Sequence, residues 1–326
     1  MSIQEIQSQV DASLELLAQA REEISLSIVG QKKMLDGLLM GVLAEGHVLL
    51  EGVPGLAKTL AVKTLAEALD VSFKRIQFTP DLLPADLTGS LVYRHQTGEF
   101  LPRKGPVFSN IILADEINRA PAKVQSALLE AMEEKQVTLG DNTYPLPDPF
   151  FVLATQNPIE HEGTYPLPEA QLDRFIIKAL VSYPSPEEEL EILRRVGSGK
   201  PAPVKKAISK ADIRKLQGVI AEIRVDERIE NYIVALTGAS REKPRGHNSY
   251  ARYIEFGASP RATIYLYRCA RVQAFFEGRA YVMPEDIKAV APGVLRHRIV
   301  LSYEAESDEL TADDVIANLL STVPVP

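Results

Sequence analysis

Hydrophobic positions change period several times along this chain, and the changes predict its elements. Ile3, Ile6, Val10, Leu14 and Leu17 recur at helical spacing, so the first thirty residues predict an amphipathic helix whose apolar stripe packs on a core. A second helical pattern runs from about Gln31 to Ala44, with Gly46 as its stop. Then HVLLEG makes a short apolar run ending in glycine, and TLAVKTLAEAL after Lys58 returns to helical spacing. NIILAD (Asn110–Asp115), FFVLATQN (Phe150–Asn157) and FIIKALV (Phe175–Val181) predict further strands, with a helix over Lys123–Glu134 after the first of them. Strands that are apolar throughout and alternate with helices predict a parallel sheet covered on both faces.

Two stretches break the alternation. Leu91–Phe108 predicts a hairpin turning near Thr97-Gly98, and Gln136–Leu146 another with Gly140-Asp141-Asn142 as its turn. Each could be decoration, or could project far enough to touch a substrate. After Tyr183-Pro184-Ser185-Pro186 the strand pattern stops and helices follow: Glu187–Val196, a Ser209-capped segment to Glu222, an Asp226-capped segment to Ser240, Pro260–Phe276, and one opened by Pro284-Glu285-Asp286. Val196–Lys206 predicts a polar linker. The expected fold is an α/β parallel-sheet domain over residues 1–185 and an all-helical domain over 186–326.

Composition narrows the function classes. At 326 residues, 45% hydrophobic and 25% charged, the chain can bury a large core as an ordinary globular protein. Its net charge of −8 argues against a broad nucleic-acid footprint, which needs a basic face, although a local basic channel in an oligomer would escape that test. The single cysteine, Cys269, excludes an intramolecular disulfide, and its apolar helical setting predicts a buried thiol. The acidic and glutamine-rich N-terminus does not resemble a signal peptide, and no apolar stretch is long enough for a membrane helix. The expected location is cytoplasmic, without membrane insertion.

The candidate chemistry sits where strands end. Gly52–Thr59, GVPGLAKT, follows a strand and opens a helix. A glycine-rich turn in that context points backbone N–H groups at phosphate oxygens, and the helix N-terminus adds favourable partial charge. Gly52, Val53, Pro54, Gly55, Leu56, Ala57 and Leu60 would wrap the nucleotide. Lys58 would reach the β- and γ-phosphates, and the Thr59 hydroxyl would help hold magnesium. Ala57 departs from the glycine usual before the lysine; if that position requires positive φ, alanine costs about 1 kcal/mol or slightly more. Asp115 and Glu116 end a buried strand, where open α/β sheets bind their ligands. Asp115 is the candidate for the magnesium shell, and Glu116 for orienting or deprotonating the attacking water. The plainer alternative is that both acids simply open the next helix.

These residues together resemble a known family. GVPGLAKT, IILADEINRAPAKVQSALLEAMEE and VLATQNPIEHEGTYPLPEAQLDRF look like the MoxR family of AAA+ ATPases, which is similar to magnesium-chelatase ATPase subunits. The likeness covers roughly residues 25–300. It implies an αβα nucleotide domain followed by a helical lid, an ATP and magnesium requirement, and a homo-oligomeric ring, commonly a hexamer. The two hairpins correspond to the helix-2 insert and the hairpin before the sensor strand. Asn157 matches sensor 1, Arg174 an arginine finger acting on the neighbouring subunit's ATP, and Arg261 sensor 2. Val29, Gly30 and Gln31 match the segment bordering adenine. Arg174 could instead pair with Asp173, Asn157 could serve as a turn-former before Pro158, and Arg119 could face an intersubunit site. His161 lies in the loop after Asn157 without further ligands at metal spacing. The family implies chaperone-like maturation of partner proteins or metal-cofactor insertion, often with a partner carrying a von Willebrand factor A domain. Two other functions remain open to the sequence: a nucleotide-dependent switch without efficient turnover, and a DNA-associated motor.

Overall fold

The computed structural model describes residues 1–52, 56, 58–157, 163–197, 204–242 and 250–326. In chain order the first elements are α1 (Ile3–Ser27), α2 (Lys32–Leu43), β1 (His47–Glu51), α3 (Lys58–Ala68), β2 (Phe73–Gln77), α4 (Pro84–Thr88), β3 (Gly89–Arg94), β4 (Glu99–Lys104) and β5 (Ile111–Asp115). Next come α5 (Ala122–Glu134), β6 (Gln136–Leu139), β7 (Asn142–Pro145), β8 (Phe151–Gln156), α6 (Glu169–Leu172), β9 (Phe175–Leu180) and α7 (Pro186–Gly197). The remainder is α8 (Lys210–Glu222), α9 (Glu227–Ala239), β10 (Ile254–Phe256), α10 (Pro260–Phe276), α11 (Pro284–Leu295), β11 (Val300–Leu301), α12 (Tyr303–Ser307) and α13 (Ala312–Thr322). Two compact units result: Ala18–Arg174 with Ala179–Ile213, and Met1–Leu17 with Phe175–Lys178 and Arg214–Pro326.

Five strands form one sheet in the order β2-β5-β8-β1-β9. The pairings β2–β5, β5–β8 and β1–β8 are parallel, with Leu50 opposite Thr155 and Gln77 opposite Asp115. Val48, Leu49 and Leu50 of β1, Ile112, Leu113 and Ala114 of β5, and Val152, Leu153 and Ala154 of β8 are fully buried, as continuous apolar strands require. His47 ties this layer together. Its Nδ1 accepts the Val152 N–H at 3.0 Å, and its Nε2 lies 3.3 Å from the Met132 carbonyl on α5. Burial pushes its imidazole down to about 4, so the ring is neutral and Nε2 carries the proton.

Both hairpins form as expected, with Gly98 (φ 73°) and Gly140 (φ 63°) at their turns. The sequence reading missed β2. As an edge strand with the pattern Phe-Lys-Arg-Ile-Gln it buries only Ile76, so it has neither an apolar run nor clean alternation. The turn after α2 also differs from expectation: the left-handed residue is Glu45 (φ 54°), while the Gly46 amide closes the helix end on the Gly41 carbonyl at 2.9 Å. Ile3 is 55% exposed because it sits in the first turn of α1, whereas Ile6, Val10 and Leu17 are buried.

After β9 the described elements are helices, as expected, except that β10 and β11 add a short antiparallel pair. That pair escaped the sequence because two- and three-residue strands leave no period to read. The predicted caps are in place: Ser209 accepts the Asp212 N–H at 3.3 Å before α8, and Asp226 accepts the Arg228 N–H at 3.0 Å at the start of α9. Ser259, which the sequence did not single out, caps α10 by accepting the Arg261 N–H at 3.1 Å. Cys269 is buried on α10, and burial pushes its thiol up to about 12, as expected for an inert core thiol. Asp286 on α11, 2% exposed, is gripped by both terminal nitrogens of Arg279 at 2.5 and 2.8 Å. Of the predicted linker, 198–203 lie outside the described residues. No described helix is long and apolar enough to cross a membrane.

Candidate functional site

Three strands deliver the candidate residues to one edge of the sheet. β1 ends at Glu51 and leads into Gly52, β5 ends at Asp115, and β8 ends at Gln156, followed by the buried Asn157. The Gly52 amide bonds to the Gln156 carbonyl at 3.4 Å, so the loop entry and the end of β8 are adjacent. Glycine is needed at position 52 for a steric reason: a Cβ there would lie 2.8 Å from the Val181 carbonyl oxygen and 2.9 Å from the Val181 Cβ. Val53, Pro54, Gly55 and Ala57 lie outside the described residues, as does His161. Leu56 is buried, Lys58 and Thr59 open α3 with half-buried side chains, and Leu60 is exposed.

Lys58 Nζ donates to the Gly52 carbonyl at 2.6 Å. Partial burial lowers its pKa, while the charges of Asp115 and Glu116 oppose that shift. The lysine therefore lies within the electrostatic reach of both carboxylates. Lys58, at the start of α3, and the two carboxylates at and just after the end of β5 thus share one electrostatic neighbourhood.

Asp115 and Glu116 are joined through a residue that sequence reasoning missed. Thr155 on β8, 1% exposed, donates its hydroxyl to Asp115 Oδ1 at 2.7 Å and accepts the Glu116 N–H at 2.8 Å. Glu116 adopts a left-handed backbone (φ 56°, ψ 52°), a conformation that costs a non-glycine residue roughly 1–2 kcal/mol. The turn that follows closes with the Arg119 N–H on the Glu116 carbonyl at 2.9 Å. β2 supplies the other partners. Arg75 Nη2 and Nε reach Asp115 Oδ2 at 2.6 and 3.0 Å, and Gln77 Nε2 reaches Glu116 Oε2 at 2.8 Å. Arg119 adds a 3.0 Å bond to the same Glu116 oxygen, so its side chain faces this chain's own acidic pair. No signal short of locating β2 could have found Arg75 and Gln77; Thr155 was visible only as a β-branched strand residue.

The remaining predicted residues are placed as follows. Gly30 and Gln31 are consecutive left-handed residues (φ 64° and 52°). A Cβ on Gly30 would lie 2.3 Å from Glu188 Oε1, and Gln31 Nε2 donates to the Ser182 carbonyl at 3.0 Å; Val29 beside them is half-buried. Arg174, between α6 and β9, packs its side chain against α5, donating to the Leu129 carbonyl at 2.9 Å and reaching Glu133 at 3.5 Å. Arg261 is in the first turn of α10, in the helical unit. Among the described residues, no cluster of three or more His, Cys, Asp or Glu forms a metal cage. The hydroxyl-plus-carboxylate set of Thr59 and Asp115 suits magnesium, which takes few protein ligands and completes its shell with water and phosphate.

Comparison with known proteins agrees with this geometry. Residues 47–177 match the ATPase family associated with various cellular activities (AAA), and residues 249–319 match the AAA lid domain. The chain is 50% identical to Chaperone MoxR1 of Mycobacterium tuberculosis over 97% of its own length and 84% of that protein. It is 32% identical to Protein MoxR of Methylorubrum extorquens over 95% of both. A solved structure from Cytophaga hutchinsonii superposes with a TM-score of 0.91 at 50% identity, covering 100% of this chain and 99% of that one. A five-stranded, largely parallel sheet that carries the AAA match, together with a helical stretch that carries the AAA lid match, defines the class as AAA+. Within that class, the chain belongs to the MoxR family of AAA+ ATPases.

Proposed function

We propose that this chain hydrolyses magnesium-bound ATP and, as a homo-oligomeric ring, uses the cycle to remodel or mature partner proteins. The observation that carries the hydrolytic reading is the Thr155 hydroxyl bonded to both Asp115 and Glu116, in the field of Lys58. In this reading Val29, Gly30 and Gln31 border the adenine, and residues 52–60 wrap the phosphates. Lys58 leaves the Gly52 carbonyl for the phosphate oxygens, whose negative charge restores its hold on its proton. Thr59 and Asp115 hold magnesium, which neutralises charge on the phosphate oxygens. Glu116 orients the attacking water or takes its proton, and Asn157 holds that water. Arg174 would leave its place against α5 to meet the nucleotide of the next subunit, and Arg261 would serve from the lid. The functional division we favour is a nucleotide domain over 1–185 and a lid over 186–326.

The name of the Mycobacterium tuberculosis relative supports a chaperone-like role. Its narrower forms are the ones that the family resemblance implies: a hexamer, metal-cofactor insertion, and a partner with a von Willebrand factor A domain, working in the cytoplasm. The test is Glu116→Gln. This protein should bind ATP with near-normal affinity and turn it over at least ~100-fold more slowly, as expected for loss of a positioned base. Turnover near the wild-type rate would remove Glu116 from catalysis, whereas an assembled wild-type protein that binds ATP without turning it over would make the nucleotide-dependent switch the better account.

A further inference from the structure

Arg75 sits where a metal-binding carboxylate should be open. Asp115 has two oxygens and about four acceptor positions. Thr155 occupies one on Oδ1, and the Arg75 fork takes two on Oδ2 through Nη2 at 2.6 Å and Nε at 3.0 Å. A guanidinium in that place opposes a divalent cation in two ways. It fills lone pairs the cation would use, and its positive charge repels the cation even if a lone pair stays free. The same Nη2 also donates to Gln77 Oε1 at 2.7 Å, and Gln77 in turn holds Glu116. Removing Arg75 from Asp115 therefore loosens a partner of the second carboxylate as well.

The geometry points to Arg75 as an internal cation that competes with magnesium for Asp115 and sets the metal affinity of the site. This rests on the reading of Asp115 as the metal carboxylate. Two features separate it from an ordinary surface ion pair. Asp115 is only 14% exposed, so the fork closes a largely shielded carboxylate, whereas Arg75 is 47% exposed and can swing into water at little cost. The arrangement is thus asymmetric: the anion is fixed by Thr155 and the cation is free to leave.

The experiment measures Mn2+ binding by electron paramagnetic resonance on the full-length protein saturated with ADP. Arg75→Gln should bind Mn2+ on the order of tenfold more tightly than the wild type, the lower end of what an adjacent arginine does to a carboxylate's affinity for a proton. Its ADP affinity in EDTA should stay within about twofold, since Arg75 touches no proposed nucleotide contact. Arg75→Lys, which keeps the charge, should return most of the way to wild-type Mn2+ affinity. Unchanged or weaker Mn2+ binding in Arg75→Gln would overturn the proposal, as would Arg75→Lys binding as tightly as Arg75→Gln. Asp115→Asn separates the two layers. If it binds Mn2+ like the wild type, the assignment of Asp115 has failed. If it loses Mn2+ while Arg75→Gln shows no gain, only the competition by Arg75 has failed.

Discussion

Replacing Thr155 by valine removes one hydroxyl while keeping the shape of the side chain, and the structure sets what that should cost. The Thr155 oxygen satisfies the Glu116 amide at 2.8 Å and donates to Asp115 at 2.7 Å, in a place 1% exposed where water cannot substitute. A buried amide left unpaired costs about 1–3 kcal/mol, and a hydrogen bond to a charged group contributes about 1.5–3 kcal/mol. Burying an extra methyl returns roughly 1 kcal/mol. The net expectation is destabilisation by about 1.5–5 kcal/mol, read from urea unfolding at neutral pH. The effect on turnover should be larger than stability alone implies. Glu116 is held in a strained left-handed conformation by that bond and by the turn after it. Once the bond is lost, the carboxylates can drift, and a displacement of about 1 Å can cost on the order of 100-fold in rate. Steady-state ATPase assays should show the loss in kcat more than in KM. Thr155→Ser, which keeps the hydroxyl, should restore activity to within a few-fold. A valine variant with wild-type stability and turnover would show that Thr155 does not position the acidic pair.

The other expectations concern backbone strain, pH and thiol access. Glu116→Gly should be more stable than Glu116→Gln by about 1 kcal/mol, because glycine enters the left-handed region without penalty, and both should lack turnover; equal stabilities in thermal melts would dismiss the strain. His47 has a folded-state pKa near 4 against 6.5, so the unfolded chain binds its proton first. Its contribution is full above pH 6.5 and is lost as pH falls from 6.5 to 4, reaching about 3 kcal/mol. Denaturant titrations at intervals across that window should show the slope, and His47→Gln should flatten it; an unchanged slope would contradict the assignment. Cys269 should resist thiol reagents in the native protein and react at the rate of unfolding, and rapid labelling of folded protein would contradict its burial.

Much of the site was legible because its chemistry is carried by spacing. A glycine loop between strand and helix, and a carboxylate pair ending a buried apolar strand, can be recognised without coordinates, and their meeting follows from a parallel sheet that gathers strand ends on one side. The core strands were legible for the same reason, since β1, β5 and β8 are buried on both faces and must be apolar throughout. β2 was not legible. An edge strand has water on one flank, so Lys74 and Arg75 are tolerated and the pattern resembles a loop. Missing that strand hid Arg75 and Gln77, the residues that occupy the two carboxylates.

Thr155 shows the same division at the scale of one atom. Threonine in a strand is an ordinary choice, and nothing in the order of residues says whether its hydroxyl is structural. That was decided by the sheet register, which sets Thr155 beside the end of β5, and by the left-handed turn of Glu116, which aims an amide back at the hydroxyl. The sequence by itself determined which groups could do phosphate and magnesium chemistry, because residue type and local spacing carry that information. Tertiary structure alone decided which groups occupy the carboxylates and how Glu116 is held. Those contacts join residues about forty positions apart, through an edge strand and a backbone angle that leave no periodic trace.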